Sequence, residues 1–273
     1  MQHIRDGVTQ NSGEPYKGFE LKTSQRADPI GITEDEWKVR RDLAAAYRLC
    51  ALCEWDDLIY THISARVPGQ PEHFLVNPLG LGFDEITASS LVKIDYDGNV
   101  VGDTQYRPNA AGFVIHGGIH QAREDLASVM HLHTVHGMAL SMLKDGLLPL
   151  TQHALRFYKR IGYHDYEGIA LSKGERERLV LALGSHNALV LRNHGTLTGG
   201  KSVGAAFVEM FYLEKAAQAQ LIAQACGGAL VTPNDQVCAL TDQQWQEDFS
   251  SAANREWPTL LRRLDRTDRS YRD

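Results

Sequence analysis

No stretch of this sequence approaches the roughly eighteen consecutive apolar residues of a membrane-spanning helix. The polar start Met1-Gln2-His3-Ile4-Arg5-Asp6 also lacks the apolar core of a signal peptide. The expectation is a soluble, cytoplasmic protein with no membrane partner. Lysine and arginine form no run, and 28 basic against 34 acidic residues leave a net charge of -6, so nothing offers nucleic acid an electrostatic footprint. Cysteine is sparse at four residues. Cys50 and Cys53 have C-x-x-C spacing but lie in a helical pattern, and Cys226 and Cys238 do not repeat it. Buried free thiols are therefore expected in place of a redox or zinc pair. Repeats and low-complexity tracts are missing, and Gly199-Gly200 lacks the spacing of a phosphate loop. What is present is a globular composition, 43% hydrophobic over 273 residues, enough for a sizeable core.

Residues 1–30 are polar and aperiodic and read as a flexible N-terminal arm. Residues 31–230 read as one α/β domain, and 231–273 as a helical tail packed on that domain or on a neighbouring subunit. Thr33-Glu34-Asp35-Glu36 has the form of a capping box, with Ile32 and Trp37 at the staple positions, and opens a helix to about Cys53. Leu58 to Val67, Phe74 to Asn77 and Leu91 to Asp95 read as a small antiparallel sheet. Asn109 is the candidate cap of a helix through Arg123, on which Gly112, His116 and His120 share one face. Lys173 to Leu183 is helical, and a long helix from about Val203 stops at Gly227-Gly228. Asp242 stands near the start of a last helical segment, whose Trp245 and Trp257 are expected to dock.

Twelve histidines make most of them bystanders, but two patterns stand out. His131-Leu132-His133 closes the apolar run Leu126 to Met130, and the period-two alternation of a strand puts both imidazoles on one face. Asn187 to Leu191 is a second apolar run, terminated by Arg192-Asn193-His194-Gly195. Two neighbouring strands ending this way supply three imidazoles to one divalent metal, zinc foremost, with iron, manganese or cobalt as alternatives.

Tyr60-Thr61-His62-Ile63-Ser64-Ala65-Arg66, Val76-Asn77-Pro78-Leu79-Gly80, His131-x-His133 and Arg192-Asn193-His194-Gly195 follow one another in the order and at the intervals of the class II aldolase/adducin family. The resemblance runs from about Trp37 to Gly228 and is nearest to the adducin-like bacterial branch. It implies a three-layer α/β/α fold with a mixed, largely antiparallel central sheet, and a homotetramer or other homo-oligomer. It also implies metal ligands at His131, His133 and His194, a catalytic tyrosine at Tyr166 with Tyr163 as the alternative, and substrate contacts at His62, Asn77, Gly80, Asn109, Gly112 and His116. Two departures bear on function. Gly112 stands where the family's sugar-phosphate aldolases carry a metal-binding or catalytic Glu, leaving His116 or His120 as candidate replacement ligands. Leu79, Ala110 and Ala111 stand where those enzymes hold phosphate with hydroxyl groups. The implied activity is a metal-dependent carbon–carbon lyase acting on a small unphosphorylated hydroxy or keto acid. The alternatives are a non-catalytic adducin-like module that binds partners or oligomerises, and an Fe(II) oxygenase on the same fold.

Overall fold

The computed structural model describes residues 31–108, 110–168, 173–248 and 253–273. The expected arm at 1–30 and the cap Asn109 lie outside the described residues. The strands are β1 (His62–Val67), β2 (Gln70–Val76), β3 (Val92–Asp95), β4 (Ser128–Leu132), β5 (Ile161–His164), β6 (Ala188–Leu191) and β7 (Gly195–Gly200). They form one sheet in the order β3-β2-β1-β4-β7-β6-β5. Every neighbouring pair is antiparallel except β5 with β6, so the sheet is mixed and largely antiparallel. The helices are α1 (Glu34–Leu52), α2 (Ala110–Ala122), α3 (Val135–Ser141), α4 (Lys173–Leu183), α5 (Val203–Ala225), α6 (Asp235–Asp248) and α7 (Ala253–Thr267). None among the described residues is long and apolar enough to cross a membrane.

Strand alternation divides the layers. Ala188 and Val190 pack with Leu213 and Ala217 of α5, whereas Leu189 and Leu191 pack with Ile115 and Ile119 of α2 and with Leu179 and Leu183 of α4. Along β4, Met130 and Leu132 join Tyr47, Phe207 and Trp257 in the largest core cluster, while Val129 lies with α2 and α4. Fully burying each such large apolar side chain stabilises the fold by about 1.5–3 kcal/mol. His131 follows the parity of Val129 and so faces the α2 layer.

Four local expectations change. The run from Leu58 does not begin a strand there: Leu58 and Thr61 have φ of 53° and 63°, a left-handed backbone that interrupts extension until His62. The strands between Leu58 and Asp95 make no separate sheet, because β1 pairs with β4, His62 opposite His131. The capping box is half formed. Thr33 accepts the Glu36 N–H at 3.2 Å, but the Glu36 carboxylate turns inward to Arg40 at 2.9 Å and Lys93 at 2.7 Å, tying α1 to the sheet. Finally, α6 starts at Asp235 rather than near Asp242, because Asn234 caps it by accepting the Val237 N–H at 2.9 Å; Asp242 sits within the helix and takes Arg160 at 2.9 Å. The Trp245 indole donates to the Gln152 carbonyl at 2.9 Å and that of Trp257 to Asp42 at 3.1 Å. All four cysteines are free, and Cys50 and Cys238 are buried.

Candidate metal centre

β4 delivers His131 from its last turn of the pleat and His133 just past its end, and the tight turn between β6 and β7 delivers His194. The second apolar run therefore does not end in the ligand as expected. It stops at Leu191, and Asn193, at φ 55°, turns the chain so that His194 precedes β7, the strand that pairs with β4. Gly195 allows this approach, since a Cβ there would meet the Leu132 carbonyl at 2.5 Å. The three rings stand 4.7–4.9 Å apart, centroid to centroid, and one nitrogen from each lies within 4.8 Å of the others. An ion with metal–nitrogen distances of about 2.0–2.1 Å needs them somewhat closer.

The surroundings prepare the lone pairs. His131 Nδ1 lies 3.0 Å from the Thr196 carbonyl, which only accepts, so the proton is on Nδ1 and Nε2 is bare. His133 Nδ1 is held by Asp57 Oδ2 at 2.9 Å, and its Nε2 is buried without a hydrogen-bond partner. An orphaned buried nitrogen of this kind suits a metal ligand. Burial first, then the neighbouring imidazoles, push His131 well below the usual imidazole range and His194 down to about 4. Both are thus neutral imidazoles at physiological pH. The residues present fit a divalent ion.

A second chain of histidines runs behind the triad. The His62 ring is 5.3 Å from that of His131; its Nδ1 lies 2.8 Å from His116 Nε2, and Ser64 Oγ bridges His116 Nδ1 at 2.5 Å and His120 Nε2 at 2.7 Å. One hydroxyl proton serves two rings, so the tautomers of His62 and His116 are coupled to that of His120. Neither His116 nor His120 belongs to the three-imidazole cluster; both tie α2 to β1. Burial drives His116 well below its ordinary value and His120 to about 3. Below pH about 6.5 the unfolded chain binds protons that the folded chain refuses, so stability falls as pH falls. For metal-free protein, urea unfolding between pH 6.5 and 4 is expected to lose stability less steeply in His120→Gln, by about 1.4 kcal/mol per pH unit. Equal slopes in the two proteins would refute a buried neutral His120.

The remaining expected site residues divide. Tyr166 is half exposed, with its ring 6.4 Å from that of His194. Tyr163 is instead structural: its hydroxyl accepts the Leu147 N–H at 3.0 Å and Arg192 stacks on its ring. Asn77 is fully buried, with Oδ1 2.9 Å from the Tyr47 hydroxyl and Nδ2 unpartnered. Gly80, at φ 97°, closes a turn whose Pro78 bridges Pro108 beside the start of α2, the helix that carries Gly112. Asp57, Ser64 and the Thr196 carbonyl are participants that pattern reading missed. Asp57 lies 76 positions from His133 in an acidic turn, where nothing in the sequence separates it from a solvated carboxylate.

A mixed sheet between helical layers, with three converging imidazoles at one end, defines the class of protein. The model of the Class II Aldolase and Adducin N-terminal domain matches residues 41–221, and the chain belongs to that family. A solved aldolase II superfamily protein from Pseudomonas syringae is 52% identical, with TM-score 0.85 over 89% of this chain and 98% of that one. An L-fuculose 1-phosphate aldolase from Glaciozyma antarctica is 28% identical, with TM-score 0.78 over 91% and 97%. Rat alpha-adducin is 42% identical over 205 residues, which are 74% of this chain and 28% of the adducin.

Proposed function

We propose that this chain is a metal-dependent carbon–carbon lyase, performing aldol cleavage or decarboxylation on a small unphosphorylated hydroxy or keto acid. The observation that carries this reading is the preparation of the triad: an acceptor on Nδ1 of His131 and of His133 leaves the lone pair of each on Nε2, and one ring nitrogen of each lies within 4.8 Å of one from His194. His131, His133 and His194 would hold the ion, with zinc preferred for three imidazoles and an open position. Bound there, it supplies an undiminished double charge beside a substrate carbonyl, since neutral imidazoles cancel none of it.

The chain's own groups do the rest. Tyr166, accessible and near His194, is the candidate proton donor. His62 lines the inner side of the triad with its tautomer set by His116, and is positioned to hydrogen-bond a substrate oxygen. The first backbone N–H groups of α2 are suited to a carboxylate. The Glaciozyma protein is named for a phosphorylated sugar. Against carrying that substrate over stand Gly112, which offers no carboxylate, and Leu79, Ala110 and Ala111, which offer no hydroxyl. Homo-oligomerisation is part of the proposal. The exposed Leu58, Tyr60, Val135 and Met142 lie within three residues of Asp57, His133 or Ser141, the groups that hold or form the triad.

The adducin similarity favours a second reading, in which the domain binds partners without catalysis. A screen of the metal-loaded protein against hydroxy and keto acids, in air and anaerobically, separates the readings. Carbon–carbon cleavage that is independent of oxygen supports the lyase, and oxygen-dependent turnover the oxygenase. No turnover of any acid by protein that retains its metal would overturn the lyase reading.

A further inference from the structure

His62, Ser64, His116 and His120 are all buried, and burial is the main cause that keeps the three rings neutral. Their polar atoms form one unbranched chain: His62 Nδ1 to His116 Nε2 at 2.8 Å, His116 Nδ1 to Ser64 Oγ at 2.5 Å, and Ser64 Oγ to His120 Nε2 at 2.7 Å. Each neutral imidazole has one N–H and one lone pair, and the hydroxyl has one proton to give. The chain therefore has two polarities, and the tautomer of any one ring selects between them. The far end decides. His120 Nδ1 makes no well-formed hydrogen bond, but the Leu126 carbonyl stands against the ring and favours a proton on it. Ser64 occupies Nε2, so the nitrogen so favoured is Nδ1. A bare lone pair at Nδ1 would face the lone pairs of that carbonyl.

We infer that Ser64 is a positioning residue that, through this chain, fixes His62 as its Nδ1–H tautomer and leaves the His62 Nε2 lone pair free. The protons balance with no group charged. His62 Nδ1–H donates to His116 Nε2, His116 Nδ1–H to Ser64 Oγ, and the Ser64 hydroxyl to His120 Nε2, while His120 keeps its proton on Nδ1. His62 pairs with His131 across the sheet, and the two rings are 5.3 Å apart, so the tautomer set by Ser64 is presented beside the triad. His62 accepts there and does not donate. A group that it receives must bring its own hydrogen, as an O–H or N–H does and as a bare carbonyl or carboxylate oxygen does not. The inference goes beyond the lyase reading and does not depend on it, because every bond of the chain lies within the protein.

The test is nuclear magnetic resonance of the full chain with isotope-labelled histidines and added zinc, which reads from the ring nitrogens which one carries the proton. In the wild type His62, His116 and His120 are all expected as Nδ1–H tautomers. His120→Leu removes the acceptor of the Ser64 proton. The hydroxyl is then expected to donate to His116 Nδ1, since a buried donor is costly to leave unpaired, and the chain turns round, making Nε2–H the major tautomer of His62. Ser64→Ala parts the chain and is expected to leave a mixture of both tautomers at His62. Any of the three rings found as Nε2–H in the wild type overturns the inference, whether or not the variants fold. An Nδ1–H His62 that both folded variants leave unchanged overturns it as well, because its tautomer is then set without Ser64. Zinc content, measured separately, tests the triad, so neither result carries over to that reading.

Discussion

Replacing His194 with alanine, or His131 and His133 together, is expected to reduce a single bound divalent ion per chain to a small residue of it in elemental analysis. The basis is the geometry of the three rings and the direction of their lone pairs. Loss of one imidazole from a three-imidazole site removes a bond to the metal itself, so the effect exceeds the roughly 10–100-fold that losing a supporting hydrogen bond produces. That smaller effect is expected for Asp57→Asn, which keeps the shape of the side chain but weakens its hold on His133 Nδ1. A graded series, with Asp57→Asn weak and His194→Ala nearly empty, distinguishes a designed site from adventitious binding. Full occupancy in both the His194→Ala and the His131→Ala, His133→Ala proteins would exclude this cluster as the site. Melting curves taken with EDTA serve as the folding control.

Metal-loaded protein is expected not to cleave fuculose or rhamnulose phosphates at ordinary enzyme rates, while responding to hydroxy or keto acids. A positioned acid or base contributes about a hundredfold to ten-thousandfold to such a reaction, and Gly112 has no group to supply it. A phosphate dianion is held by charge-assisted hydrogen bonds of roughly 1.5–3 kcal/mol each, and Ala110 and Ala111 provide none from their side chains. Either absence alone leaves room for compensation; the two together point to another substrate. The measurement is turnover of parallel panels of sugar phosphates and of acids. Brisk sugar-phosphate cleavage with no response to the acids would show that these three positions were misread.

The two histidines at the end of β4 were legible because a strand has a fixed period. Alternation fixes which side chains share a face, and His131 and His133 indeed stand 4.9 Å apart, ring to ring. His194 was legible as a residue but not in its setting, since a left-handed Asn193 that turns a run into a hairpin leaves no mark in hydrophobic pattern. The same blindness extended the first strand back to Leu58. The start of α6 carried a readable signal, Pro233-Asn234-Asp235, that the more conspicuous Asp242 obscured. Groups that meet only in space stayed hidden: Asp57 with His133, Ser64 with two imidazoles of α2, and His164 with Glu175.

The triad stands at the rim of the sheet, whereas the largest core cluster is built from Tyr47, Phe207, Trp257 and their apolar neighbours. Chemistry and architecture are thus written in separate letters. A chain with this plan can change the groups around the three imidazoles without rewriting the interior that makes the domain fold. Overall similarity is then a poor guide to activity, and the rim residues of each chain must be read for themselves.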